Sequence, residues 1–257
     1  MLKYGILGSG SSANSYIFQL DNFAFIIDNG FSCREFFQRA ESLGFNPKKI
    51  KAIFLTHLHR DHVGGVEALS RKLEVPVVMH SQLNIGKHIC KDLYGRIDIV
   101  PFKEITFQAL SVTAFATSHD SACSISYHFT LGNKSFTLIT DTGVLSPIME
   151  KFALTSDVLF LEANYNYDML INGSYPDFLK KRILSDYGHL SNQDAITFLN
   201  NLANGTNANR LKIVYFCHMS DNNNSPGKLQ EEIDLNLRWK CDYIICPKGH
   251  LQAGINL

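Results

Sequence analysis

The sequence lacks the features that mark several large classes of protein. Its 24 basic and 24 acidic residues give a formal net charge of zero, so nothing attracts a polyanion globally, although a local basic face is compatible with this balance. The six cysteines form no Cys-x-x-Cys pair, which favours reduced thiols in a cytosol. No run approaches the ~18 apolar residues of a membrane span, and the first residues lack the apolar core of a signal peptide. We therefore expect a cytoplasmic protein without a membrane partner.

The chain also has little that would divide it or bind a nucleotide. It contains no repeat and no linker long enough to separate two domains, so we predict a single domain over residues 1–257 without a large insertion. The Gly/Ser-rich stretch at 8–15 matches neither the P-loop nor the dinucleotide-binding spacing, and a strand rather than a helix follows it. This stretch is either a tight turn or a loop that lines a site, in which Ser12 and Asn14 are candidate substrate-binding residues.

Short apolar runs rich in branched and aromatic residues predict a series of strands. The strands come first in meander groups, with helices between some of them. This order predicts an α/β protein with two mixed β-sheets covered by helices. The helices are predicted at 33–43, about 63–73, about 81–91, about 176–186 and 192–202.

Several of the strand-like runs end in a residue that can bind a metal or transfer a proton. These residues are His57, His119, Asp141, Glu162 and His218. Because strand ends in a layered α/β protein meet at one rim, we expect these side chains to lie close together.

The densest group of ligand-type side chains follows the apolar run at 52–55. Within six residues the chain has His57, His59, Asp61 and His62. His57 and His59, two apart, can point the same way and hold one ion, while Asp61 and His62 can reach a second. Imidazole suits zinc, iron or copper, and a carboxylate extends the choice to harder divalent ions. The alternative is a polar loop that is rich in histidine, but four such side chains directly after a buried strand predict a metal site.

These motifs resemble the metallo-β-lactamase fold superfamily, whose His-x-His-x-Asp-His signature is matched by residues 57–62. More narrowly, the chain resembles the YycJ/WalJ group of small exonucleases with this fold. The matching segments, at 10–15, 139–143, 182–192 and 218–224, occur in order along nearly the whole chain. The resemblance implies a four-layer αββα sandwich. It also implies 5′-to-3′ removal of nucleotides from DNA, in a repair role.

The same resemblance implies the ligands of two divalent ions, Zn²⁺ or Mn²⁺. The ligands form two sets: His57, His59 and His119 for one ion, and Asp61, His62 and His218 for the other. Asp141 would bridge the ions, and Asp28 would accept a hydrogen bond from a ligand histidine. Two ions ~3.5–4 Å apart can share a hydroxide and stabilise both the attacking and the leaving oxygen. His250 is the alternative last ligand, because it also follows a strand-like run.

Two further residues resemble the pair that assists the leaving group in related transfer-RNA-processing enzymes. Glu162 ends a strand-like run, and His189 stands in the segment Gly-His-Leu-Ser. A carboxylate that keeps a histidine protonated would make that histidine an acid for the departing 3′ oxygen. The alternatives are a turn-capping role for Glu162 and a position before a helix for His189. Together with Asp61, they are the predicted catalytic residues.

Basic residues upstream of His189 are candidates for phosphate contacts. Lys181 and Arg182 lie on the predicted helix at about 176–186 and would position a nucleic-acid backbone without reading its sequence. The alternative is a solvated helix face. Only about fifty residues separate Asp141 from His189, so the large extra domain of ribonuclease J-like enzymes cannot be inserted there.

Taken together, these features predict a metal-dependent phosphodiesterase. The resemblance narrows this to a 5′-to-3′ DNA exonuclease that uses a hydroxide activated by two metal ions. Fold does not decide the substrate, because the superfamily also hydrolyses lactams and thioesters. One alternative is a small-molecule hydrolase, either a cyclic phosphodiesterase or a glyoxalase II-like thioesterase. Another is an RNA-processing nuclease. A non-enzymatic scaffold should have lost ligands, whereas every ligand position is filled here.

Overall fold

The apolar runs of the sequence form two β-sheets of seven strands each. The computed structural model describes residues 2–84, 90–203 and 210–256. In chain order the strands are β1 (Leu2–Gly8), β2 (Ser15–Leu20), β3 (Phe23–Ile27), β4 (Ile50–Phe54), β5 (Val77–His80), β6 (Arg96–Ile99), β7 (Glu104–Phe107), β8 (Leu110–Ala116), β9 (Ile125–Leu131), β10 (Lys134–Ile139), β11 (Val158–Glu162), β12 (Ile213–Cys217), β13 (Asp242–Ile245) and β14 (Gln252–Ala253).

Each sheet joins an antiparallel meander to a set of parallel strands. The first has the order β14-β1-β2-β3-β4-β5-β6, antiparallel from β14 to β3 and parallel from β3 to β6. The second has the order β13-β12-β11-β10-β9-β8-β7, antiparallel from β7 to β10 and parallel from β10 to β13. Both sheets are mixed, as predicted, and the parallel strands of each sheet present their carboxyl ends at one edge.

Helices cover the outer faces of the sheets. They are α1 (Cys33–Ser42), α2 (Arg60–Val63), α3 (Val66–Leu73), α4 (Pro147–Leu154), α5 (Tyr167–Asn172), α6 (Asp177–Leu184), α7 (Asn192–Leu202) and α8 (Pro226–Asn236). Ser32 and Ser191 cap α1 and α7 by accepting a hydrogen bond from a backbone N–H of the first turn. Such a cap stabilises a helix by about 1 kcal/mol and explains why both helices begin where predicted. In the described part of the chain, no helix has both the length and the apolar character needed to cross a bilayer.

Some helices differ from the prediction. The helix predicted at about 63–73 starts later, as α3 at Val66, because the glycines at 64 and 65 separate it from the short helix α2, which ends at Val63. We did not predict α4, α5 or α8. The helices α4 and α5 are short, with eight and six residues, and in α8 only Leu229 and Ile233 are buried. The predicted helix at about 81–91 falls partly outside the described residues, and its described ends, 81–84 and 90–91, are not helical.

Aromatic side chains fill the space between the two sheets. Phe18 and Phe25 of the first sheet contact Phe129 of the second, with ring centroids 4.7 and 5.1 Å apart in edge-to-face geometry. Each fully buried ring contributes on the order of 1.5–3 kcal/mol. Further apolar clusters lie on the outer faces, where α1 and α3 pack on the first sheet and α4, α7 and α8 pack on the second. The result is the four-layer αββα sandwich that the resemblance implied.

His128, on β9, makes the fold sensitive to acid at a point away from the strand ends. Its Nδ1 lies 2.8 Å from Thr137 Oγ1, and its ring stacks on Phe152 with centroids 4.6 Å apart. Burial, with a smaller effect of Arg210, lowers the pKa of His128 from 6.5 to about 4. The unfolded chain therefore takes up a proton near pH 6.5 that the folded chain binds only near pH 4. The protonation of His128 therefore leaves the unfolding free energy unchanged above pH 6.5 and lowers it progressively as the pH falls toward 4.

We expect the H128Q variant to lose less stability than the wild type between pH 7 and pH 4.5. A pKa difference of this size corresponds to about 2.5 kcal/mol of unfolding free energy at pH 4.5. Urea unfolding at both pH values measures it, and H250Q, which changes an exposed histidine, is the control. An equal pH dependence in all three proteins would contradict the assignment.

Candidate metal centre

The carboxyl ends of the central strands bring the predicted ligands together. Asp28, Asp141 and His218 lie within two residues of the ends of β3, β10 and β12. Each has a left-handed backbone, with φ of 57°, 56° and 55°. A side chain other than glycine adopts this conformation at a cost of about 1 kcal/mol or more, and such residues concentrate at functional sites. The sharp change of direction lets these side chains meet at one edge of the sandwich.

The ligand atoms form two groups with one aspartate between them. His57, His59 and His119 have ligand atoms within 4.8 Å of one another, and so do Asp61, His62 and His218. Asp141 Oδ1 lies 3.6 Å from His119 Nε2 and 3.4 Å from His218 Nε2, while its Oδ2 lies 3.4 Å from His62 Nε2. The structure thus brings all the predicted ligands together, with the predicted bridging residue between the two sets.

The donor atoms fit a divalent cation. His57 Nε2, Asp141 Oδ2 and His218 Nε2 are buried and have no hydrogen-bond partner among the described residues. A buried polar atom without a partner costs on the order of 1–3 kcal/mol, which a bound cation would offset. Burial and the neighbouring imidazoles hold the pKa of His57 well below its ordinary value, so this ring is neutral and keeps a lone pair. Burial opposes ionisation of Asp141, but the neighbouring imidazoles of His218 and His62 outweigh it and hold the Asp141 pKa below its ordinary value.

Asp28 orients two of the ligand histidines. Its carboxylate accepts hydrogen bonds from His62 Nδ1 at 2.8 Å and from the Thr56 hydroxyl at 2.7 Å. The Thr56 hydroxyl in turn lies 2.9 Å from His57 Nδ1. Both rings therefore carry their proton on Nδ1 and direct Nε2 toward the centre, which is the arrangement expected of metal ligands. Asp28 has the position that the resemblance implied for it.

On the opposite side of the centre, Glu162 orients the ligand His218 together with the predicted proton donor His189. Its Oε1 accepts from His218 Nδ1 at 2.8 Å and from His189 Nδ1 at 2.7 Å, while Oε2 accepts from the backbone N–H groups of Thr142 and Leu190 at 3.1 and 3.3 Å. Glu162 is fully buried. Burial opposes its ionisation, but His189 and His218 outweigh burial and lower the Glu162 pKa well below the ordinary value. The carboxylate is therefore charged and fixed, and it pairs with His189 as predicted.

Two glycines allow the loops of the site to approach one another. A Cβ on Gly30 would lie 2.0 Å from the carbonyl oxygen of Asp61, and a Cβ on Gly143 would lie 2.3 Å from that of Ser185. Only glycine therefore lets the loop after β3 pack on the metal motif. In the same way, only glycine lets the turn after Asp141 pack on the segment before His189.

A cleft of about 420 Å³ opens onto the centre. Arg182 lines it, as expected of a substrate-binding residue, whereas Lys181 is exposed and lies outside it. Successive helical residues differ by ~100° in direction, so only one residue of this basic pair faces the cleft. Ser11 rather than the predicted Ser12 is on the wall; Ser12 is exposed beside it.

Asn14 has a different role from the one predicted. It is fully buried, and its Nδ2 lies 3.1 Å from Asp61 Oδ2 and 2.9 Å from His62 Nε2. Its amide is therefore occupied within the protein and positions ligands, so the predicted substrate contact is corrected. The prediction failed because the sequence places Asn14 in a Gly/Ser loop without showing that the loop folds inward.

His218 and His250, the two alternatives for the last ligand, lie in different places. His218 is in the centre, whereas His250 is exposed in a loop beside Arg39. Sequence analysis missed Asp120, whose carboxylate lies 3.5 Å from His59 Nε2, and Asn164, whose Nδ2 donates to the His218 carbonyl at 2.8 Å. In the sequence, only their position could have indicated a role, because each follows a predicted site residue by one or two positions.

Comparison with known proteins is consistent with this geometry. The model of the metallo-beta-lactamase superfamily matches residues 8–84. The chain is 35% identical over 228 residues to exodeoxyribonuclease WalJ of Streptococcus pneumoniae serotype 2, an alignment that covers 86% of this chain and 83% of the relative. It is 31% identical over 234 residues to exodeoxyribonuclease YycJ of Bacillus anthracis, with 87% and 84% covered.

A solved structure with the same architecture supports the fold assignment. The metallo-beta-lactamase fold protein YhfI of Bacillus subtilis superimposes with a TM-score of 0.72 at 16% identity, over 98% of this chain and 99% of that chain. At this identity the likeness concerns the fold alone. The fold predicted from the sequence is confirmed.

Proposed function

We propose that this chain, which belongs to the WalJ/YycJ family of exodeoxyribonucleases within the metallo-β-lactamase superfamily, removes nucleotides from the 5′ end of DNA with the help of two divalent ions. The chain is a metal-dependent hydrolase of that superfamily. The 5′ polarity, the number of ions and their identity are parts of this proposal. We place the protein in the cytoplasm, with a role in DNA repair, and we treat residues 1–257 as one domain because both sheets contribute ligands to one centre.

The observation that carries the proposal is the paired donor set around Asp141. One group consists of histidines and the other includes a carboxylate, and Asp141 contacts both. Zn²⁺ suits the histidine-rich set, and Mn²⁺ suits a set with a carboxylate at each position. Ions bound there would supply Lewis-acid polarisation of a phosphoryl oxygen and activation of water, which is the chemistry that phosphodiester hydrolysis needs.

The Glu162–His189 pair supplies the proton for the leaving group in this proposal. His189 lines the cleft and is still 15% exposed at its side chain, whereas Glu162 is fully buried behind it. Since Nδ1 of His189 is engaged with Glu162, its Nε2 is the nitrogen free to face substrate. Because Glu162 holds Nδ1 and fixes the ring, His189 can donate a proton from Nε2 to the departing 3′ oxygen.

Digestion of linear duplex DNA labelled at the 5′ or the 3′ end tests this function. Protein stripped of metal and supplied with Mn²⁺ or Zn²⁺ should release short products first from the 5′ label, and D61A should release none. Because Asp61 belongs to the second donor group, this control tests the centre together with the substrate. Early release from the 3′ label would overturn the polarity.

The same assay with RNA and with bis(p-nitrophenyl) phosphate distinguishes the alternatives. If DNA stays intact while RNA is degraded, the protein is an RNA-processing nuclease rather than a DNA exonuclease. Turnover of the small diester alone, lost in D61A, would leave the metal centre standing and move the substrate to a small phosphodiester.

A further inference from the structure

Asp120 lies between a predicted metal ligand and an arginine of the cleft. Its Oδ1 is 3.5 Å from His59 Nε2 and accepts a hydrogen bond from Arg182 Nη2 at 3.0 Å. Its Oδ2 accepts a second, short hydrogen bond from Arg182 Nε. The backbone N–H of Asp120 donates to the carbonyl of Tyr187 at 3.1 Å, which ties this loop to the segment that carries His189.

The pair differs from an ordinary surface ion pair. Exposed ion pairs contribute little to stability, typically below about 1 kcal/mol, but a two-point contact between guanidinium and carboxylate also fixes direction. Arg182 lines the cleft beside Asp61 and Asp141 and is still 46% exposed at its side chain. Asp120 binds the Nε and Nη2 side of the guanidinium, so Nη1 is the group left to meet a ligand in the cleft. An arginine held in this way is suited to a phosphate.

His59 shows the other side of Asp120. One ring nitrogen, Nδ1, lies 3.2 Å from His119 Nε2 within the donor group, and the other, Nε2, faces Asp120 Oδ1. His62 and His218 are likewise placed with one ring nitrogen in the centre and the other toward a carboxylate, that of Asp28 and Glu162. Asp120 therefore places a carboxylate beside the outer nitrogen of a third ligand ring, at 3.5 Å compared with 2.8 Å for the other two, and the same oxygen lies 3.6 Å from His119 Nε2.

We propose that Asp120 is a positioning residue that couples substrate recognition to the metal centre. It holds Arg182 over the cleft, where Nη1 binds a phosphate of the substrate strand, and it orients His59 so that Nδ1 faces the other ligand atoms of its group. The substrate half of this inference rests on the proposed function. The His59 half concerns cation binding alone.

The substrate half is tested with wild type, D120A, R182A and the double variant. The dissociation constant of a fluorescent 5′-phosphorylated oligonucleotide and KM for its cleavage should each rise ~10-fold in R182A, as expected for one lost charge-assisted contact, while kcat changes little. D120A should raise KM to a similar extent. The double variant should raise it no further than R182A does, because Asp120 acts on the substrate through Arg182.

The His59 half is tested by titrating the metal-free proteins with Mn²⁺. D120A should bind the ion ~10-fold or more weakly, the loss expected when a partner behind a ligand histidine is removed, and R182A should bind it as the wild type does. The Co²⁺ absorption spectrum should be the same in all variants, because Asp120 is not itself a ligand. D120N, which is closer in shape, guards against a folding defect in D120A, and urea unfolding reports such a defect.

Three results would overturn the proposal. Multiplicative effects of D120A and R182A on KM would show that the two side chains act independently. A changed Co²⁺ spectrum in D120A would make Asp120 a direct ligand. An equal rise of KM in R34A, which removes an exposed arginine of α1, would show that Arg182 acts only through the overall positive charge of the protein. If the wild type cleaves no DNA, the proposed function fails, while oligonucleotide binding and the Mn²⁺ titration still decide whether Asp120 couples Arg182 to His59.

Discussion

Replacing Asp141 by asparagine is expected to lower kcat/KM for DNA by on the order of 10³-fold or more, since each factor of ten corresponds to ~1.4 kcal/mol and a metal centre supplies several. Asp141 is the residue that contacts both donor groups, through Oδ1 on one side and Oδ2 on the other. Asparagine keeps the shape but removes the charge and one acceptor oxygen. The variant should therefore lose the link between the groups without losing the fold.

Thermal unfolding with and without Mn²⁺ gives a readout of this variant that does not depend on activity. A ligand that binds only the folded state stabilises it in proportion to the logarithm of its concentration over Kd. Wild type should therefore gain stability with Mn²⁺, and D141N should gain little at the same concentration. D157N is the matched control, because Asp157 is a buried aspartate that accepts a hydrogen bond from Ser135 N. It precedes β11, at the opposite end of that strand from Glu162. If D141N responded to Mn²⁺ as D157N does, Asp141 would not be a ligand.

Replacing Glu162 by glutamine should be the second most damaging change. Each carboxylate oxygen of Glu162 accepts two hydrogen bonds, one oxygen from His189 and His218 and the other from backbone N–H groups. In either orientation, the amide NH₂ of glutamine would face two donors. We expect the unfolding free energy to fall by about 3 kcal/mol, Mn²⁺ affinity to fall ~10–100-fold and kcat to fall ~10²-fold or more.

Comparison with His189→Ala separates the two functions of Glu162. The H189A variant should lower kcat, because the proton donor is gone, and should keep the Mn²⁺ affinity of the wild type. E150Q makes the same change as E162Q at an exposed position on α4 and should change neither quantity. Unchanged metal affinity in E162Q would mean that Glu162 orients His189 alone and not the ligand His218.

The parts of the site that sequence predicts are those set by strand ends. His57, Asp141, Glu162 and His218 each end a buried run, and the sandwich brings such ends to one edge by its layering alone. The residues need not be close in sequence for this, because the sheets fix their positions. A buried strand can also be predicted from sequence, because its residues form an uninterrupted apolar run.

The parts that sequence does not predict depend on how loops and weakly patterned helices lie. Asp120 contacts Arg182 across 62 positions of the chain, and no local pattern announces such a pair. Ser11 faces the cleft and Ser12 does not, a difference of one residue within a loop that has no period. The helix α8 was missed because its buried positions are only Leu229 and Ile233 among polar neighbours.

The left-handed backbone at Asp28, Asp141 and His218 has a consequence for the lifetime of the protein. At this edge of the fold they stand beside the buried ligand atoms of His57, Asp141 and His218 that have no hydrogen-bond partner among the described residues, so the centre carries local frustration. A sequence selected for folding alone would not keep them, so stability and function make opposing demands there. Burial of the aromatic layer between the sheets must offset the free-energy cost of these residues. A cation at this edge would bind these loops to one another and stabilise the folded state, so the supply of metal would govern how long the chain resists proteolysis as well as whether it cuts its substrate.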